Sequence, residues 1–534
     1  MYDLFYSSTE TPASVKNQGN ALLSEGRIAD AERMYRKAIS LNPRYMPAYY
    51  NLGNVLRMQR RFEEALTAYE TALSLSPDDY EIWMNKGATL IELGRPAEAR
   101  QAFSRAHELM PTAAEALVNM GLACERQHQI EKSQAAGSGT GAAAGKNSLD
   151  AAVDYYNKAL AINPGLAVAH SNLGSVLQSQ GKPDAAEQSL RRAIELNPDF
   201  ADAQINLGNA LQSKGQLEEA AACFQRAIKL SPENADAFYN LGNVYRDLKR
   251  AEEAEASYRK ALAINPRSIG ALSCLAGLLM ERKRSEEALG YFRQVIEIEP
   301  GNAVASHMIA SLTKENSEAA PAQYVAELFD GFARNFEESL VQNLNYAIPQ
   351  KLAALLADVA KPGAREWDIL DLGCGTGLVG TAIAPYARQL VGVDLSTGML
   401  EKAKEKNLYQ RLEKADLLTM MKEEPSASYH VVVAADVFVY IGKLDAIMAE
   451  IKRLLRPGGM LAFSVEAAEN QPIDGIVKDY CLNQMGRYAH SSAYIETMAA
   501  EHGLRKRILT PSDIRLENGA PVQGWVVLLE NAGA

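Results

Sequence analysis

Cysteine is scarce in this chain: there are five among 534 residues, at 124, 223, 274, 374 and 481, odd in number, far apart and without a CxxC pair. That spacing excludes a disulfide scaffold and gives no metal-ligand pattern, so buried thiols in a reducing compartment and no metal are expected. Basic charge is in deficit too, with 55 Lys and Arg against 66 Asp and Glu, a net charge of −11. No basic stripe exists to track a phosphate backbone, so nucleic acid is not an expected partner. Long apolar runs are missing as well. The most apolar stretch, VVVAADVFVYIG, carries Asp436 at its centre, and the opening MYDLFYSSTE lacks the basic and apolar regions of a secretion signal. A cytoplasmic protein without membrane contact is the expectation. The rest of the composition, 47% hydrophobic and 23% charged, is that of ordinary globular domains, and the length predicts about three to four domain-sized units.

The sequence does contain a period. Prolines recur at 43, 77, 111, 164, 198, 232, 266 and 300, in steps of 34 residues broken once by a step of 53. A small residue, an alanine eleven or twelve positions on, and a large residue four beyond that repeat in the same register, as in Gly53, Ala65 and Tyr69. Small residues let paired helices approach, and the large one fills the space. A strict 34-residue unit of this kind resembles the tetratricopeptide helix–turn–helix repeat over residues 12–302, in eight units. The long step implies a 19-residue insertion in the fourth unit, near 133–150. Its Gly/Ala/Ser-rich sequence reads as a flexible loop between that unit's two helices. GTGAAAGK within it lacks the first glycine and the Ser or Thr of a phosphate-binding loop, and no nucleotide site is expected there. Residues 303–314 read as a capping helix that closes the solenoid.

The sixth position of the first helix is asparagine in seven consecutive units: Asn17, Asn51, Asn85, Asn119, Asn172, Asn206 and Asn240. A side-chain amide donates and accepts, which matches a peptide backbone without reading its side chains. The row resembles the asparagine ladder of the O-linked N-acetylglucosamine transferase superhelix, and that resemblance implies a groove that holds a protein or peptide partner. The structural alternative is that each amide satisfies backbone near a helix start. A clamp for a chaperone tail is disfavoured, because Glu81 and Asn85 stand where cations are needed.

From Trp367 the grammar changes to buried apolar runs (WDILDLG, QLVGVDL, YHVVVAADVFV, MLAFSVE, WVVLLE) alternating with amphipathic stretches, which predicts a parallel, doubly wound sheet. A helical lead-in over 321–360 precedes it. WVVLLE follows a strand near Lys506–Leu509 across a turn-rich segment without a helix, so a terminal antiparallel hairpin is expected. The first strand runs into LDLGCGTGLVG. Gly375, Gly377 and Gly380 fit GxGxxG, with Asp394 nineteen residues after the first, so spacing alone leaves a dinucleotide reading open. Asp371 before the glycines, Asp416 after the third strand, LRPGG before the fifth and the lead-in together resemble the class I S-adenosylmethionine methyltransferases.

That resemblance implies a Rossmann-like α/β domain at 321–534, joined to an all-α solenoid at 12–320. It implies S-adenosyl-L-methionine held by Asp371, Gly373, Cys374, Gly375, Thr376, Gly377, Asp394, Leu395, Asp416, Leu417 and Asp436. Asp394 would take the ribose hydroxyls, Asp416 the adenine amine, and Asp436 would border the methyl-transfer face. AELFDGFARNFEESLVQNLNY (Ala326–Tyr346), ADVFVYIGKL, AFSVE and GRYAHSSAYI also resemble bacterial predicted methyltransferases with tetratricopeptide repeats. The implied reaction is methyl transfer to an O- or N-nucleophile. His490, Tyr488 and Tyr440 are the candidate catalytic groups, with Arg487 as an anion holder and Glu466 at a strand end. The aromatic residues Tyr324, Phe329, Phe332 and Phe336 of the lead-in read as a lid or as a packing seam. The rival reading is an interaction scaffold whose methyltransferase domain is vestigial or acts separately.

Overall fold

The computed structural model describes residues 10–138, 146–333, 336–338, 346–359, 366–470, 477–517 and 519–533. The chain divides into two compact units, Met1–Pro266 and Arg267–Ala534. Sequence reading ends the repeats at 320; the last complete repeat and the capping helix lie in the second unit.

The first unit is a run of helix pairs. The first helix of a pair spans 13 residues, as in Met46–Met58, and the second 14, as in Phe62–Leu75. The glycine that opens each repeat's pattern is where the helices touch. A Cβ added to Gly53 would lie 2.6 Å from the Tyr69 ring, and one on Gly208 would lie 2.7 Å from Phe224. Both rings are fully buried. The fourth unit keeps this contact, Gly121 against Tyr156, but its helices are long: Ala114–Ser138 and Lys146–Ile162. Much of the insertion is therefore helix rather than loop, because Gln, Lys, Glu and Ala favour helix more strongly than one Gly and a few Ser oppose it. The segment 139–145, with most of GTGAAAGK, lies outside the described residues.

The second unit opens with helices Ile269–Glu281 and Ser285–Ile298 and the capping helix Ala303–Thr313, which Asn302 caps by accepting from the Ala305 N–H. Helix Ala322–Phe332 follows. The sheet comprises β1 (Trp367–Leu372), β2 (Ala387–Asp394), β3 (Arg411–Lys414), β4 (Tyr429–Ala434), β5 (Leu455–Ala467), β6 (Tyr480–Leu482), β7 (Tyr488–His490), β8 (Leu504–Glu517) and β9 (Ala520–Asn531). Strands β3-β2-β1-β4-β5 are parallel neighbours; β9 lies antiparallel on β5, and β8 antiparallel on β9. The strand order reverses at β1, so the crevice at the carboxyl ends of β1 and β4 is where a ligand binds in such sheets.

Two details depart from the sequence reading. The terminal hairpin is much longer than expected, and PSDIRLENGAPVQG is mostly strand; Pro511 is tolerated because β8 pairs only with β9 and has no ladder bond to lose on its other side. The tip of β5 also branches. Glu466 pairs with Gly524 of β9 and with Ala489 of β7, and the short hairpin β6–β7 attaches there. Ser491 caps the helix Ser492–Glu501, accepting from the Tyr494 N–H at 3.1 Å. Tyr488 and His490 stand on β7. No helix among the described residues is long and apolar enough to cross a membrane.

Candidate active site

The turn after β1 is built from left-handed backbone. Gly373, Gly375 and Gly377 have φ of 60°, 54° and 83°, a region that costs a side-chain-bearing residue dearly. Space is short as well: a Cβ on Gly373 would meet Val437 Cγ2 at 2.6 Å, and one on Gly377 would meet the Tyr409 ring at 3.1 Å. Cys374 and Thr376 are buried in the same turn. Cys374 N–H donates to the Val393 carbonyl at 3.0 Å and ties the turn to β2. Asp394, at the end of β2, closes the arrangement. Its Oδ2 accepts from Gly375 N–H and its Oδ1 from Ser396 N–H, each at 2.8 Å. Burial raises the Asp394 carboxyl above its ordinary value, and those backbone donors work against the rise. Leu395 beside it is half-buried.

Asp371 lies deeper, 1% exposed. Its Oδ2 accepts from the Tyr409 hydroxyl at 2.6 Å, whereas Oδ1 has no hydrogen-bond partner among the described residues. Burial pushes this carboxyl up to about 7. A buried carboxylate oxygen left without a donor is costly, and its natural complement is a donor carried in by a ligand. Asp416 is exposed and caps the helix Leu417–Glu423, accepting from the Thr419 N–H at 3.1 Å; Leu417 is half-buried.

The lead-in covers this turn. Asp330 Oδ1 accepts from Ser396 Oγ at 2.5 Å and from Gly398 N–H at 3.3 Å. The Phe336 ring stands 3.9 Å from where a Gly375 Cβ would be, and Phe329 packs edge-on against Tyr440 at 5.5 Å. Lys406 pairs with Glu337 at 2.6 Å. Tyr324 is buried and its ring lies 4.6 Å from His307; the Phe332 side chain lies outside the described residues.

Beyond β4 and β5 lies a cluster of charge. Glu466 accepts from Arg487 Nε at 2.7 Å, from Arg515 Nη2, and from Asn483 Nδ2 at 3.0 Å. Burial alone would raise its carboxyl, but the two guanidiniums overcome burial and hold it below its ordinary value. Arg515 also reaches Asp436 Oδ2 at 3.3 Å, and Arg487 reaches Glu517 at 2.5 Å. Arg487 is thus an ion-paired network member. The Tyr440 phenol, half-buried, is raised by burial and feels Arg487, Arg515 and Asp436.

His490 and Tyr488 are placed differently. His490 is fully buried, and its Nε2 donates to the Ile441 and Gly442 carbonyls at 2.9 and 3.0 Å. Burial lowers it to about 4. With one ring nitrogen committed as donor and the other sealed from solvent, it holds the loop after β4 and is not free to exchange protons with an acceptor. The Tyr488 hydroxyl shares a hydrogen bond with Ser317, and its ring packs on Gly442. His307 of the capping helix donates from Nε2 to the Gly486 carbonyl at 2.9 Å.

In the first unit Asn17 is exposed, and the other six ladder asparagines are half-buried. Some of their amides stitch repeats together. Asn51 Nδ2 donates to Asn20 Oδ1 at 3.0 Å, and Asn85 Nδ2 to the Tyr50 hydroxyl at 3.1 Å. Asn206 donates to Ser171 Oγ at 3.4 Å, while Asn172 bonds the Tyr156 phenol. A second set of asparagines, missed in the sequence reading, receives the buried tyrosines: Tyr35 donates to Asn20, Tyr69 to Asn54 and Tyr258 to Asn243. Asn20, Leu23, Ser24, Tyr35, Asn51 and Asn54 line a cavity of about 400 Å³.

Comparison with known proteins matches the repeats and the sheet separately. Residues 370–461 match a methyltransferase domain. Residues 16–73, 56–114, 167–200, 205–269 and 246–312 match tetratricopeptide repeats. A malonyl-[acyl-carrier protein] O-methyltransferase from Halalkalibacterium halodurans is 33% identical over 147 residues, 26% of this chain and 51% of that protein. A ubiquinone biosynthesis O-methyltransferase from Thiobacillus denitrificans is 27% identical over 27% of this chain and 66% of its own length. The chain spans about half the length of the curated relatives it matches. Among solved structures, MamA is 30% identical over 30% of this chain and 92% of that one, with a TM-score of 0.28.

Proposed function

From a chain that joins tetratricopeptide repeats to a methyltransferase domain, we propose an S-adenosyl-L-methionine-dependent methyltransferase. It transfers methyl to an O- or N-nucleophile, and its solenoid binds a protein or peptide partner. The observation that carries this reading is the Asp371 Oδ1, buried and without a donor among the described residues, set beside a turn of left-handed glycines, two of them too crowded for a side chain. An α-amino group supplies the missing donor. The second lone pairs of the Asp394 oxygens suit two ribose hydroxyls, a charge-assisted and bidentate arrangement. Gly373, Gly375 and Gly377 give room to the methionyl chain, and Asp416 with Leu417 offers an edge to the adenine. Bound there, the sulfonium supplies an electrophilic methyl carbon. The protein's task is to align the acceptor and exclude water, for which Phe329 and Phe336 of the lead-in are placed. The amide-lined cavity of the first two repeats suits an extended peptide backbone.

Calorimetric titration with S-adenosylhomocysteine, with NAD as control, tests the reading. Asp394→Ala is expected to weaken homocysteine-analogue binding by about ten- to a hundredfold, as befits the loss of charged hydrogen bonds of about 1.5–3 kcal/mol. Equal affinity in parent and variant would sink the assignment of Asp394. Binding of NAD alone would sink the methyltransferase reading.

A further inference from the structure

Asp436 lies two residues past β4 with φ of 53°, a conformation that a non-glycine residue keeps only where its surroundings impose it. Two strands do so. Asp436 N–H donates to Ser464 Oγ on β5 at 2.9 Å, and that hydroxyl donates back to Asp436 Oδ1 at 2.8 Å. From β8, Arg515 Nη1 approaches Oδ2 at 3.3 Å. The next residue, Val437, packs on the cofactor turn at Gly373. The Asp436 carboxylate is therefore fixed beside the turn proposed to hold the methyl donor. Its side chain is 18% exposed, against 2% for Glu466.

The charges around it do not cancel. Asp436, Glu466 and Glu517 face two guanidiniums among the described residues, those of Arg487 and Arg515. Glu466 engages both guanidiniums closely, so the surplus negative charge resides on the more loosely held Asp436. The phenols of Tyr346 and Tyr440 sense its charge. Burial raises the Asp436 carboxyl above its ordinary value, against the pull of Arg515 and the Ser464 hydroxyl.

Resting on the reading of the glycine turn as a methyl-donor site, we propose that Asp436 faces the reacting position and is the base for an amine acceptor. A carboxylate acceptor is repelled by the surplus negative charge and has no proton to lose. An alkylammonium is attracted by that charge and by the tyrosine faces, and its nitrogen cannot attack until it is deprotonated. The ammonium N–H bond breaks, its proton goes to an Asp436 carboxylate oxygen, and the electron pair stays on nitrogen. That pair then forms the bond to the methyl carbon while the carbon–sulfur pair leaves with sulfur.

The test uses two unreactive analogues on the full chain: S-adenosylhomocysteine, uncharged at the reacting position, and sinefungin, which carries an ammonium there. Sinefungin is expected to bind the parent about tenfold more tightly, a difference typical of one charged hydrogen bond. Asp436→Asn should shrink the gap to within about twofold, since asparagine tolerates this backbone region. If that variant binds neither analogue, Ser464→Ala, which keeps the charge but releases its aim, must narrow the gap. In the homocysteine-analogue complex, butylamine should raise the melting temperature and butyrate should not. An unchanged gap in the variants, no gap in the parent, or stabilisation by butyrate overturns the Asp436 proposal alone. Failure of S-adenosylhomocysteine to bind the parent overturns the reading beneath it.

Discussion

Asp371 shows how a single group couples stability to the site. Burial lifts its carboxyl from an ordinary 3.8 to about 7. The unfolded chain ionises first, so between roughly pH 4 and 7 the folded state holds a proton that the unfolded state has lost. Stability must fall as pH rises through that window. Asp371→Asn removes the ionisation, and its melting temperature is expected to exceed the parent's by several degrees at pH 8, with the difference shrinking steadily as pH falls toward 4. Scanning calorimetry at both pH values checks this; a parent–variant difference that does not grow with pH would show that the buried neutral acid is not the cause. On the proposed reading the same variant should bind S-adenosylhomocysteine more weakly, because the amide would replace the charge set against the ligand's ammonium. Asp371 and the glycines stand out in the sequence because they form one contiguous motif, and Asp394 because it ends the next apolar run at a set distance from them. Tyr409, Asp330, Ser464 and Arg515 were not. Each reaches the site from a separate element by tertiary folding, and nothing near Tyr409 sets it apart from the other tyrosines of the chain, 23 in all.

At the scale of elements, the repeats were legible for the reason that they are stable: a small residue meets a large one in the same register of each pair, as Gly53 meets Tyr69 and Gly174 meets Leu190. Gly208→Ala would drive a methyl to 2.7 Å from the buried Phe224, and overpacking of this kind costs about 1–3 kcal/mol. Gly277, within the helix Ile269–Glu281, has nothing within 4 Å of its Cβ position, and alanine there should stabilise by up to about 1 kcal/mol. Amide hydrogen exchange in the affected helix pair is expected to speed up for Gly208→Ala and slow down for Gly277→Ala. The same direction in both would contradict the packing account. Elements without a repeat or a period were harder to see. β6 and β7 have three residues each, too few for alternation to show, and they exist because the tip of β5 offers an unpaired edge. β8 was under-read because Pro511 and Asp513 look like turn residues, whereas an edge strand with one free side accepts them.

At the scale of the whole chain, the sequence changes grammar at about Pro321, but the hydrogen bonds do not stop there. In the second unit the Glu318 carbonyl accepts from Gly442 and Lys443 at 2.8 and 2.9 Å, and Ala320 N–H donates to the Tyr440 carbonyl at 2.9 Å. Asn316 brackets β6, donating to the Tyr480 carbonyl at 3.1 Å and accepting from the Leu482 N–H at 3.0 Å. Ser311 and His307 of the capping helix donate to the carbonyls of Asn483 and Gly486. These contacts hold the loop after β4, which carries Tyr440, and the β6–β7 turn that leads to Arg487. A fragment beginning at Pro321 leaves those backbone groups without partners at about 1–3 kcal/mol for each that stays buried, and exposes the apolar face formerly covered by the capping helix. A fragment beginning at Arg267 keeps them all. The 267–534 fragment is therefore expected to bind S-adenosylhomocysteine within about threefold of the full chain, a difference under 1 kcal/mol. The 321–534 fragment should melt lower by ten degrees or more, since a loss of several kcal/mol in a domain of this size corresponds to roughly that shift, and its analogue affinity should fall with it. Matching melting temperatures for the two fragments would mean that the last repeat and the capping helix merely lie against the catalytic fold. The difference would instead make them part of it, with the capping helix and the segment after it setting the loop after β4 and the β6–β7 turn.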